Sequence, residues 1–162
     1  MQKIPVGTSS IAIVQHDDNF YTGPVTILPQ LPFWEKYKEL GIRAIITVKP
    51  APSGFPTFCK ENGIMLIPSA WLFRRSNSLN DPAKWIGMKA WSLVSSGKKT
   101  VVCCDSGAYA GSFVSHYYTE AKAGRIKLPL KHISPRRKLT ALDKGKAKSL
   151  VTLGRVNRWL KK

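Results

Sequence analysis

Short apolar runs and longer amphipathic stretches alternate along the chain. Ile11–Val14 (IAIV) and the brief NFYTG that starts at Asn19 read as strands, with Gly23-Pro24 as a turn. From about Pro32, FWEKYKEL has a helical pattern, and Gly41 stands where chains leave helices. Arg43–Val48 (RAIITV) is a continuous β-branched run of the kind buried on both faces of a sheet. PSGFP is a turn, Thr57–Asn62 a short helix ended by Gly63, and Ile64–Pro68 (IMLIP) a second buried strand. Ser69–Asn80, which contains Arg74 and Arg75, reads as a loop. Asp81-Pro82 has the form of an N-cap followed by proline at the first helical position. Behind it Ile86, Ala90, Leu93 and Val94 recur at spacings of 4, 7 and 8, an apolar stripe that Gly97 ends. Lys99–Cys104 (KTVVCC) is another strand, and DSGAYAGS a loop of small residues. Phe113, Val114, Tyr117, Tyr118 and Ala121 then line one face of a helix that stops at Gly124. Strands alternating with helices at these lengths predict a single-domain α/β fold, a mostly parallel central sheet flanked by helices.

Composition narrows the class. The 162 residues are 43% apolar and 10% aromatic, enough to bury about 70% of the unfolded surface in one domain and unlike a wholly disordered basic chain. No apolar run approaches the length of a membrane span, and the first residues do not have the form of a signal peptide. Three cysteines, two of them adjacent, make no disulfide framework; a reducing, cytoplasmic compartment fits them best. The net charge of +17 calls for an acidic partner: nucleic acid, an anionic membrane surface or a phosphorylated ligand.

That charge is concentrated at one end. From Arg125 to Lys162 there are 13 Lys and Arg against the single Asp143, a surplus of 12. Residues 1–124 hold 13 cations and 8 carboxylates, a surplus of 5. The division expected is an α/β body over 1–124 and a basic segment over 125–162 packed on the same domain. Within that segment Leu150, Val151, Leu153, Val156, Trp159 and Leu160 recur at near-helical spacing. Docking of such a helix would set Arg155, Arg158, Lys161 and Lys162 beside Arg136, Arg137 and Lys138, one folded basic surface suited to a phosphate backbone.

One segment has the makings of a reactive site. In VVCCDSGAYAGSFVSHYY a buried strand runs into a cysteine, then small residues with a glycine, then an amphipathic helix. Backbone N–H groups of such a loop converge on an anion, helped by the positive end of the helix, and a thiol at its mouth has its thiolate favoured. Cys104 is thereby a candidate nucleophile, against the plain alternative of a small apolar residue closing a strand. His16, His116 and His132 show no ligand spacing with the cysteines, so no metal site is expected. Cys59 is read as a helix-packed cysteine, with a redox pairing to Cys104 as the lesser alternative.

The segment resembles the signature loop of the cysteine-based protein phosphatases, above all the compact dual-specificity type. Upstream, NFYTGP, KELGIRAIITVKP and FCKENGIMLIP resemble that fold's lead-in in order and spacing, so the likeness runs from about Phe20 to Gly124. It implies a phosphatase-like fold, Cys104 at the nucleophile position and a phosphate loop of Asp105, Ser106, Gly107, Ala108, Tyr109 and Ala110. It implies no cofactor and no metal. The departures carry as much weight. The family's motif is His-Cys, five residues, then Arg and a hydroxyl residue; here the His position holds Cys103, the Arg position Ala110 and the hydroxyl position Gly111. An arginine clamps phosphoryl oxygens bidentately, and in other phosphoryl-transfer enzymes is worth about 10³–10⁵ in rate. The Asp that should follow Ile67-Pro68 as general acid is missing, and the first carboxylate after it is Asp81, a weak candidate. Its loss costs about 10²–10⁴. Arg74 and Arg75 would border the pocket, and Arg136, Arg137 and Lys138 are further cations for an anion. Trp71 falls where the acid would lie and is a candidate wall for the pocket. Rhodanese-type sulfurtransferases share the strand–cysteine–loop–helix order, but their loop is usually shorter and contains an Arg.

The expectation is a catalytically impaired or inactive phosphatase-like protein that binds an acidic or phosphorylated partner, nucleic acid among the options. The alternative is an active thiol-dependent phosphatase that uses Cys104 with a non-standard cation.

Overall fold

The computed structural model describes residues 1–26, 30–75 and 78–126. The expected C-terminal helix, with Arg136, Arg137 and Lys138, lies outside the described residues.

Among the described residues six strands form one sheet in the order β1-β2-β3-β6-β4-β5. They are β1 (Gln2–Ile4), β2 (Ile13–Gln15), β3 (Phe20–Pro24), β4 (Ala44–Thr47), β5 (Met65–Pro68) and β6 (Thr100–Cys104). The four from β3 to β5 run parallel, while β1 and β2 add an antiparallel edge. Among the described residues four α-helices cover the sheet: α1 (Gln30–Glu39), α2 (Phe55–Glu61), α3 (Asn80–Ser95) and α4 (Ser115–Lys122). This is the single-domain α/β architecture with a mostly parallel sheet that the alternation predicts.

Several local details differ from expectation. Gly23-Pro24 ends β3 rather than making a turn, because Gly23 and Pro24 pair with Cys103 and Cys104 of β6. Pro24 sits at the strand's last position, where a missing N–H costs little. β5 is at the sheet edge, so it is half-exposed instead of buried, with Met65 on the surface. Part of the expected loop after it is a 3₁₀ turn, Ala70–Arg75. Asp81 does not cap α3: the helix begins one residue earlier, and the Asn80 N–H donates to the Ser78 Oγ at 3.0 Å. Asp81 thus lies in the first turn, where a carboxylate still complements the helix dipole.

Alternation along the strands splits the core into two layers. Phe20, Ile46, Val102 and Cys104 face α3 and the helix after the cysteine loop. Tyr21, Ile45, Val101 and Cys103 face α1 and α2 on the opposite side, with Phe33, Tyr37, Phe55 and Cys59. Cys59 and Cys104 are therefore separated by the sheet, which removes the redox pairing between them. Of the helical tryptophans, Trp34 and Trp85 are buried and Trp91 packs at the margin of the first layer. At the crossing of α3 and α4, a Cβ on Gly87 would come within 2.7 Å of the Tyr118 backbone nitrogen. Only glycine permits that approach.

The far end of α4 is fastened to the β2–β3 turn by Asp17. Its carboxylate accepts the Tyr118 hydroxyl at 2.7 Å, the Lys122 ammonium at 2.8 Å and the N–H groups of Asn19 and Phe20 at 2.9 Å. Burial pushes this carboxyl up, but the bonds from Lys122, Tyr118 and Asn19 outweigh it and hold the group below its usual value near 3.8. A lowered folded-state pKa gives stability that is complete above the unfolded value and lost as pH falls through the folded one. Asp17→Asn is expected to cost about 2 kcal/mol at neutral pH, the scale of hydrogen bonds to a charged group. Urea unfolding at neutral pH and near pH 3 checks this; the gap between the two proteins should shrink in acid.

Candidate phosphate loop

The loop begins where β6 stops. Cys104 is only 2% exposed, and its Sγ accepts the Gly107 N–H at 3.1 Å. The N–H groups of Tyr109 and Ala110 also favour the charged form of this sulfur. A chain can curl this tightly only with a left-handed residue, and Gly107 supplies it at φ 87°. Its bare Cα also sits against Gly23, since a Cβ there would be 3.4 Å from the Gly23 backbone. The loop then feeds a π-helical turn, Ala110–Val114, which leads into α4. Such widened turns are rare and occur often at functional sites. Gly111 N–H donates to Gly107 carbonyl at 2.7 Å and closes the first turn.

The electrostatics differ from those of an activated thiol. Burial pushes the Cys104 thiol up; the N–H groups of Ala110, Gly107 and Tyr109 pull it down, and Asp105 pushes it up again. The balance lies above the ordinary thiol value. The expectation that the helix end favours the thiolate is therefore overturned by desolvation. Cys103, at the family's His position, faces the opposite core layer, where burial together with the neighbouring Cys104 and Cys59 holds it protonated against the bond from Tyr37. Tyr37 itself donates to Pro24 carbonyl at 2.6 Å.

The candidate residues are placed unequally. Asp105, Ser106 and Gly107 are partly exposed, Ala108 is exposed, and Tyr109 and Ala110 are buried. Tyr109 donates its hydroxyl to Leu79 carbonyl at 2.6 Å and stands edge-on to Phe73, tying the loop to the segment before α3. Ala110, at the clamp position, is fully buried in the first core layer. Arg74 is exposed within the 3₁₀ turn that Arg75 ends, and Asp81 is exposed at the start of α3. Trp71 donates its Nε1–H to Pro68 carbonyl at 3.1 Å and packs edge-on to Trp85.

Two features were missed from sequence. Lys49, 4% exposed, follows β4 and forms an ion pair with Asp105, whose other oxygen accepts the Thr26 hydroxyl at 2.5 Å. A lysine closing an otherwise apolar strand was the available signal. The second is a half-open groove of about 500 Å³ along the outer side of the loop, walled by the β1–β2 hairpin and by Ser106–Ala108, Gly111 and Ser112. In it the His16 Nε2 and Thr22 Oγ1 are hydrogen-bonded at 2.8 Å. Burial pushes His16 below its usual value.

No family model matches the sequence, and no curated protein matches it. Among solved structures the chain is similar to a candidate phosphatase (DUF442) from Shewanella putrefaciens CN-32, with 14% identity, coverage of 89% of this chain and 94% of the other, and a TM-score of 0.50. It is also similar to the core catalytic domain of the PP-IP phosphatase Siw14 from S. cerevisiae, with 16% identity, coverage of 91% and 93%, and a TM-score of 0.47. At such identities likeness speaks to fold alone, and the first match carries it: the chain has a phosphatase-like α/β fold.

Proposed function

We propose that this protein is a catalytically impaired phosphatase-like protein that binds phosphorylated or otherwise anionic groups at the loop Asp105–Ala110. One observation supports this most directly. The Gly107 N–H donates to the Cys104 Sγ and the N–H groups of Tyr109 and Ala110 favour its charged form, as in a backbone cradle, while the position that the resemblance gives to an arginine holds a buried alanine. N–H groups at the start of a helix suffice to hold an anion. They do not supply the fork that an arginine gives a transferring phosphoryl group. Cys104 is in this reading a vestigial nucleophile, and Asp81, exposed in the first turn of α3, has no assigned part in protonating a leaving group. The basic segment over 125–162 adds a second means of engaging a polyanionic partner, nucleic acid being the class its charge suits best.

A crystal soaked in phosphate tests the loop. The expected result is one anion above the Cys104 Sγ, accepting from the N–H groups of the loop. An empty loop at saturating phosphate, with anions bound only on the surface, would sink the proposal.

A further inference from the structure

Gly111 is a glycine without a backbone reason. Its φ is not in the left-handed region, unlike that of Gly107, and it stands within a helical turn, where glycine is less stable than alanine. A Cβ there would meet one neighbour, the Thr22 Oγ1, at 3.6 Å, which is an ordinary contact. What the bare Cα leaves is space over that hydroxyl. Thr22 lies on β3, is 1% exposed and shares its Oγ1 with the His16 Nε2 at 2.8 Å. A hydroxyl has one donor and two acceptor positions, so a single bond to an imidazole leaves it able to make another.

The space belongs to the half-open groove of about 500 Å³, a size within the range of small-molecule sites. Ile11 and Val14 of the β1–β2 hairpin make one wall apolar. The opposite wall is the loop, whose glycines, alanine and serines send nothing long into the cleft. Among the described residues no carboxylate lines it, and the one charged side chain, Lys3, is exposed. Thr22 and His16 form its polar corner, and burial keeps His16 below its usual value, so that corner is uncharged at neutral pH.

We propose that this groove binds a flat, uncharged aromatic alcohol, its ring between hairpin and loop and its hydroxyl on Thr22, with Gly111 as the residue that opens the site. A ligand hydroxyl suits the corner because, like the Thr22–His16 pair, it both donates and accepts. An apolar ring suits the walls and brings no charge that would need a buried partner. Cys104 does not line the groove, so the inference stands apart from the anion-binding reading of the loop.

Titration of the full chain with 2-naphthol, followed by amide NMR shifts and by the fluorescence of the probe, tests this. Wild type is expected to bind saturably, with the shifted amides centred on Ser106–Ala108, Gly111 and Ser112. Gly111→Ala should weaken binding at least about tenfold while raising the melting temperature, since alanine is the better helix residue; loss of fold cannot produce that combination. Thr22→Val removes the hydroxyl and keeps the shape, and should weaken binding about fivefold, the scale of one hydrogen bond. The sulfonate of the same ring, which has a fixed negative charge, should bind more weakly than the alcohol. Absence of saturable binding by wild type overturns the inference, as do shifts centred elsewhere or unchanged affinity in either variant. Equal or tighter binding of the sulfonate overturns it too, because recognition of an anion would then account for the site.

Discussion

Wild-type protein is expected to hydrolyse an aryl phosphate at least about 10³-fold more slowly than active enzymes of the phosphatase-like fold, with no difference between wild type and Cys104→Ser. Three losses converge on this number. The position that the resemblance gives to an arginine clamp holds Ala110, buried without any exposed surface. The thiol sits above its ordinary value because burial outweighs the loop N–H groups, so at neutral pH the nucleophilic form is scarce. The segment after β5 has no carboxylate before Asp81, which is exposed at the start of α3. The three do not multiply, since residues that act as a unit are non-additive, but any one of them is sufficient for a large deficit. Ala110→Arg should not restore turnover. Its side chain would have to leave a closed apolar layer that includes Phe73, Tyr109 and Val114, and burying an unpaired charge there should instead lower the melting temperature. Turnover like that of an ordinary dual-specificity phosphatase, abolished in Cys104→Ser, would refute the impaired-enzyme proposal and restore the alternative of a living enzyme.

The second large effect concerns the basic end. Between Arg125 and Lys162 the surplus of 12 positive charges is far denser than anywhere in the body. If about six of these cations meet phosphates, duplex affinity falls on the order of 10³-fold between roughly 50 and 200 mM salt, because each neutralised phosphate releases counterions. Little sequence preference is expected, as contacts to phosphate do not read bases. Reversal of Arg136, Arg137 and Lys138 to Glu should weaken binding and flatten the salt slope, whereas Cys104→Ser should change neither. Filter binding at several salt concentrations decides the matter. Failure to bind any nucleic acid at about 50 mM salt would turn the search toward acidic proteins or anionic lipid surfaces.

Much of the architecture was legible in the chain itself, for a physical reason. β4 and β6 are short apolar runs (AIIT and TVVCC) buried on both faces, and their character does not depend on which strand lies beside them. The stripe of Ile86, Ala90 and Leu93 similarly declares α3 before its partner is known. The cysteine loop was legible because strand, glycine and helix follow one another within a few residues, and Gly107 has the left-handed backbone that such a loop needs. Tertiary structure decided whatever depends on neighbours from elsewhere in the chain. β5 has the same apolar character as β4, yet its place at the sheet edge leaves it half-exposed. Gly23-Pro24 has the composition of a turn, yet pairing with β6 draws it into a strand. The Cys104 thiol illustrates the contest most clearly: its local sequence favours the thiolate, while burial, which only the assembled core imposes, opposes it and prevails. Lys49 and Asp105 are 56 residues apart, and no local pattern joins them. Their meeting follows from the parallel order of β4 and β6, which brings the ends of two adjacent strands to the same edge of the sheet.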